Sequence, residues 1–141
     1  MAQGTLERTA GIRILVAEDD RELQRLLKRS LERLGYVVTQ VFTAADVFHE
    51  IAVDPLPDVL VLDFTLPDAD GRDLLRRLKG DPRTAPIPTL VWSGRDADSE
   101  RRIAIELGAD DYVEKGALST LIAAIIEQTL SRISRGTIEE T

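Results

Sequence analysis

Apolar residues fall along this chain in two alternating kinds of run: short β-branched blocks, and longer stretches with leucine or isoleucine every three or four positions. Residues 12–17 form the first block and read as a buried strand despite Arg13. From Asp20 the period lengthens: Leu23, Leu26, Leu27, Leu31 and Leu34 mark a helix, with Gly35 as its C-cap. Residues 36–42 read as a second strand, and Thr43 as the N-cap of a helix containing Val47, Phe48 and Ile51. The stretch 54–57, with two prolines, breaks the chain. The most apolar block, 59–62, predicts a strand covered on both faces. A loop over 64–71 follows, then a helix carrying Leu74, Leu75 and Leu78 and ending near Gly80. Residues 87–92 predict a fourth strand and 111–114 a brief fifth. Between them, 99–107 form a short charged helix with Ile103 and Ile105, capped at Gly108. The most apolar helix spans 117–133, with Leu121, Ile122, Ile125, Ile126, Leu130 and Ile133.

Five strands alternating with five helices imply parallel strands joined by right-handed crossovers. In such open sheets the site lies beyond the strand C-termini, near the point where strand order reverses. For the order 2-1-3-4-5 that point falls between the first and third strands, which carry Glu18-Asp19 and Asp63. Residues 1–11 read as a flexible leader, 12–134 as one domain, and 135–141 as a frayed tail or the start of a linker.

Composition narrows the chemistry. The chain has 141 residues, enough for one domain with a real core. It has no cysteine and one histidine, His49, so thiolate and multi-histidine metal sites are excluded and a histidine triad is disfavoured. A net charge of −7 argues against direct binding to a nucleic-acid backbone. No apolar run is long enough to span a membrane and the N-terminus lacks signal-peptide features, which predicts a soluble cytoplasmic protein without membrane insertion.

Glu18, Asp19 and Asp63 would meet at one sheet edge, where three carboxylates repel unless a cation joins them. Mg²⁺ fits, since it takes oxygen ligands from one or two carboxylates together with phosphate. Asp20 directly precedes the helical pattern and reads as a helix cap instead. Asp63 is a candidate nucleophile for an aspartyl-phosphate. Lys115, at the end of the fifth strand, offers a point charge for a phosphoryl oxygen, and Ser93 offers a hydroxyl.

The segments 14–20, 61–71 and 108–115 resemble the CheY-like response-regulator receiver domain of two-component signalling. The resemblance covers residues 12 to about 134 and implies an α/β, flavodoxin-like (βα)5 fold, with a five-stranded parallel sheet of order 2-1-3-4-5 and helices on both faces. It also implies a phosphorylation-dependent switch rather than an enzyme, with only self-catalysed phosphoryl transfer and autodephosphorylation. Asp63 matches the phosphoacceptor; Glu18, Asp19 and Asp63 match the Mg²⁺ ligands, with the backbone carbonyl of Thr65 as a further one; Mn²⁺ would substitute. Ser93 and Tyr112 match the switch hydroxyl and switch aromatic, Lys115 the phosphate-binding lysine, and Pro67 and Gly71 the positions that shape the following loop. Arg95 stands where the family modulates phosphoryl lifetime. The partners implied are a sensor histidine kinase or a histidine phosphotransfer protein, with a homodimer through the fourth helix, fifth strand and fifth helix as an option.

The chain also departs from the family pattern. Gly116 follows Lys115 where proline is usual, often in a cis peptide, so a trans bond or a rearranged loop is expected. The Lys-Gly pair is similar to that in receivers of hybrid sensor proteins. Trp92 stands where a smaller residue is usual, as core or as lining of the switch surface. Asp110-Asp111 reads equally as an inter-subunit ion-pair site or a solvated turn, and Leu130 and Ile133 as core, dimer contact or linker start. No output domain follows residue 141, so a stand-alone receiver or a piece of a larger regulator or hybrid kinase is expected. Three competing readings are weaker. A haloacid-dehalogenase-type phosphatase needs aspartate where Thr65 stands, and a serine hydrolase needs glycines where Val91 and Arg95 flank Ser93. A receiver-fold module that is never phosphorylated would not need all five site residues.

Overall fold

The computed structural model describes residues 8–94 and 98–136. Strands β1 (Arg13–Ala17), β2 (Val37–Val41), β3 (Val59–Asp63), β4 (Thr89–Ser93) and β5 (Asp111–Glu114) form a parallel sheet in the order β2-β1-β3-β4-β5. Helices α1 (Arg21–Glu32), α2 (Ala44–Ile51), α3 (Gly71–Gly80), α4 (Asp98–Glu106) and α5 (Leu118–Ser134) alternate with them. The alternating pattern implies such a parallel sheet, and the family resemblance implies this flavodoxin-like strand order.

Period-two alternation divides the strand residues between two faces. Ile14, Val16, Val59, Val61, Leu90 and Trp92 pack with Leu27 and Leu31 of α1 and with Leu121 and Ile125 of α5. Leu15, Leu60 and Leu62 face Val47 and Ile51 of α2 and Leu74 and Leu78 of α3. Beside that second layer, Phe64, Leu75, Val91 and Tyr112 cluster on Ala104 of α4. With helices on both sides, every residue of β3 is buried. Trp92 is therefore core.

Side-chain caps open α1, α2 and α3. Asp20 Oδ1 accepts the N–H groups of Glu22 and Leu23 at 3.0 and 3.1 Å, and Thr43 Oγ1 accepts that of Asp46 at 3.1 Å. Gly35, at φ 87°, closes α1: its N–H reaches Glu32 and the N–H of Tyr36 reaches Leu31, a Schellman pattern that needs a left-handed residue.

The structure corrects several local expectations. Leu26 is 44% exposed, because it sits at the solvent edge of the stripe made by Leu23, Leu27 and Leu31. In α4 the anchor is Ala104, while Ile105 is 46% exposed, since only one face of so short a helix meets the sheet. The segment read as a plain loop contains a two-residue antiparallel ribbon, pairing Thr65 with Asp70 and Leu66 with Ala69. Thr9, inside the stretch read as a leader, is fully buried and donates its hydroxyl to the Leu34 carbonyl. The rest of that leader, 1–7, and the end of the tail, 137–141, lie outside the described residues. Asp110 is engaged within the chain, accepting Arg132 Nη2 at 2.7 Å and the Thr89 N–H at 2.8 Å. His49 is exposed on α2.

Candidate functional site

β1 and β3 are neighbours in register, Ala17 opposite Leu62, so the next residues, Glu18 and Asp63, emerge side by side at the C-terminal edge. Both are fully buried, whereas Asp19 is exposed. One carboxylate oxygen from each of the three lies within 4.8 Å of the others. Lys115, just beyond β5, brings its ammonium to Asp63 Oδ2 at 3.0 Å and into an ion pair with Glu18 Oε1. The Lys115 N–H extends the β4–β5 ladder by donating to the Ser93 carbonyl at 2.7 Å, which fixes where the side chain starts. Its ammonium also lies 5.1 Å from the centre of the Trp92 ring.

The electrostatics record the crowding. Burial, reinforced by the charge of Asp63, pushes the Glu18 carboxyl up to about 7 despite its bonds to Lys115 and the Asp20 N–H. Burial alone would depress Lys115, but its bonds to Glu18 and Asp63 outweigh that and raise it above the ordinary lysine value. Glu18 Oε2 accepts the Asp20 N–H at 2.9 Å, so Asp20 serves the site through its backbone and the helix through its carboxylate.

Asp63 Oδ1 accepts both the N–H and the hydroxyl of Thr65, each at 2.9 Å. The hydroxyl contact was not anticipated, because a threonine in a loop carries no periodic signal. Pro67 and Gly71 bound the turn that follows. A Cβ on Gly71 would stand 2.4 Å from Phe64 Cα, so only glycine permits this approach. Asp68 ties the same loop to α2 by accepting the N–H groups of Ala44 and Ala45 at 2.8 and 3.0 Å, which hold its carboxyl below the usual range.

Ser93, the last residue of β4, is fully buried, and its hydroxyl donates to Glu100 Oε1 at 2.7 Å. The Tyr112 hydroxyl donates to the same oxygen, also at 2.7 Å. Tyr112 is buried, edge-on to Phe64, with the Arg101 guanidinium 5.1 Å from its ring centre. Sequence reasoning missed Glu100: a glutamate on a charged helix reads as solvated. It also missed Gln24, whose buried amide donates to the carbonyls of Val16, Glu18 and Val41 at 2.9–3.2 Å and so pins the end of β1. Arg95 lies outside the described residues. The Lys115–Gly116 peptide is trans.

Comparison with known proteins points one way. Residues 14–127 match the sequence model of the response regulator receiver domain. Response regulator MprA of Mycobacterium tuberculosis is 42% identical over 113 residues, which cover 79% of this chain and 48% of that protein. The chain thus spans about half the length of the curated relatives it matches. A CheY-like receiver domain protein from Methanospirillum hungatei superposes with a TM-score of 0.80 at 24% identity, covering 89% of this chain and 99% of that one. The phosphorylated cyanobacterial phytochrome response regulator RcpA gives 0.74 at 26% identity, covering 92% and 98%.

Proposed function

Since this chain belongs to the response regulator receiver domain family, we propose that it is a phosphorylation-dependent switch whose Asp63 accepts a phosphoryl group from a histidine kinase or a histidine phosphotransfer protein. Receivers of this family are regulatory, and the only catalysis proposed is the chain's own phosphoryl transfer and autodephosphorylation. The observation that carries the reading is the meeting of Asp63, Glu18, Asp19 and Lys115 at one sheet edge from three separate elements.

The donor set fits a small divalent cation: three carboxylates, two of them buried, with Glu18 held against its charged form by burial. Glu18, Asp19, Asp63 and the Thr65 backbone carbonyl would hold Mg²⁺ or Mn²⁺, which supplies positive charge to the phosphoryl oxygens. The Asp63 carboxylate attacks phosphorus; an O–P bond forms, the P–N bond to the donor imidazole breaks, and its electron pair stays on that nitrogen. Lys115 keeps its ammonium beside the reacting oxygens, and the Thr65 bonds orient Asp63. The added group carries about −1.5 to −2 charges. Lys115 and Ser93 respond to that charge, and the face formed by α4, β5 and α5 changes its partner preference. The same face is where a homodimer would form. Asp110 already pairs with Arg132 inside the chain, at 2.7 Å. No described helix is long and apolar enough to cross a membrane, and we place the protein in the cytoplasm, where its kinase partners transfer phosphate.

The test is incubation with acetyl phosphate and Mg²⁺ followed by intact-mass measurement. The wild type gains the mass of one phosphoryl group, and Asp63→Asn gains none. No gain by the wild type overturns the reading.

A further inference from the structure

We infer that Glu100 couples the phosphoryl state of Asp63 to helix α4, by holding the Ser93 hydroxyl away from Asp63 until a phosphoryl group competes for it. This rests on the proposed function and adds a residue to it. Ser93 stands one position beyond Trp92, the register partner of Asp63, so it flanks the phosphoacceptor on β4. Its hydroxyl points instead to Glu100 Oε1, at 2.7 Å. A serine hydroxyl has one proton and can donate it to one acceptor at a time. Donation to Glu100 therefore excludes donation to a phosphoryl oxygen on Asp63.

The carboxylate is a strong competitor, because charge-assisted hydrogen bonds are roughly twice as strong as neutral ones. Only a more highly charged acceptor nearby draws the proton away, and a phosphoryl group is such an acceptor. When Ser93 leaves, Glu100 loses one of the two hydroxyls that converge on Oε1 and keeps that of Tyr112. The glutamate is part of α4, so the loss is felt by the helix. α4 is free to respond: among the described residues its only fully buried member is Ala104. It also borders a cleft of about 610 Å³, lined by Thr65, Asp70, Arg72, Glu100 and Ile103, which gives Glu100 room to move without displacing core side chains.

Removing the competitor should favour the phosphorylated conformation. The test is calorimetric titration of the whole chain with beryllium fluoride in the presence of Mg²⁺, a phosphoryl mimic that forms on the acceptor carboxylate. Glu100→Ala is expected to bind it about tenfold more tightly than the wild type, the equivalent of one charge-assisted hydrogen bond. Glu100→Gln, which keeps an acceptor oxygen but no charge and disturbs packing least, should fall between them. A looser α4 alone could also raise affinity, so both substitutions are repeated in Ser93→Ala, where no hydroxyl remains to release and no gain is expected. Equal affinities of wild type and both Glu100 variants overturn the coupling, as does the same gain in the Ser93→Ala background. Both outcomes leave the switch reading standing. A wild type that binds no beryllium fluoride overturns both.

Discussion

Within the acidic run 18–20, the Asp20 carboxylate accepts the N–H groups that open α1, the Glu18 carboxylate turns inward to Lys115, and that of Asp19 stays exposed. Three adjacent acids therefore have three different environments, and substitutions should separate them. Asp20→Ala keeps the backbone N–H that serves Glu18 and loses only the cap. It should cost about 1 kcal/mol in urea unfolding while acetyl-phosphate labelling of Asp63 proceeds. Loss of labelling would place Asp20 in the site after all. Residues at strand ends, such as Glu18, Asp63 and Lys115, were legible because strand direction fixes where they emerge. Thr65 and Glu100 were not, because their contacts depend on which rotamer a loop or helix residue takes, and neither choice leaves a mark on hydrophobic periodicity. The strand pattern puts Ser93 at the end of β4, but it gives no sign of the Glu100 carboxylate that accepts its hydroxyl.

At the scale of elements, every strand and helix of the main sheet was readable from its period, and boundaries shifted by one or two residues where ends fray. The ribbon at Thr65–Leu66 and Ala69–Asp70 was not, because two residues cannot express alternation. Gln24 shows a different limit. It sits among the leucines of α1 at 1% exposure, a polar residue on an apolar face. Its amide donates to carbonyls of β1, β2 and the Glu18 backbone, and Gln40 Nε2 returns a bond to its side-chain oxygen at 2.8 Å. The helix is thus fastened to the ends of two strands through one side chain, next to the carboxylate cluster. Gln24→Leu, close in volume, would leave buried acceptors with fewer donors and should cost about 2 kcal/mol in equilibrium unfolding. An unchanged midpoint would mean that the sheet ladder already satisfies those carbonyls.

For the whole molecule, covering a sheet on both faces places the chain's two tyrosines in separate layers, Tyr36 with α1 and α5, Tyr112 with α4. That layering followed from the alternation of elements, so it was legible early; which aromatic hydroxyl would end up dry was not, because it depends on how closely facing helices pack. Burial pushes both phenols up to about 12, the Thr129 hydroxyl partly offsetting it at Tyr36 and the Glu100 carboxylate adding to it at Tyr112. In the unfolded chain each would titrate near 10. A folded-state pKa above the unfolded one means that the neutral phenol is favoured in the native state, so this contribution is fully present below about pH 10 and is lost as pH rises from there to about 12. Alkaline titration followed by tyrosinate absorbance should therefore show little ionisation near pH 10 in the native protein, then a rise near 12 accompanied by loss of helical circular dichroism. The same titration in concentrated urea should centre near 10. Tyr36→Phe and Tyr112→Phe assign the two halves of the native rise, and so report separately on the two layers. A native phenol that ionises near 10 while the helices stay intact would mean that its layer is open to water, and for Tyr112 it would also remove the buried hydroxyl that is to hold Glu100 once Ser93 departs.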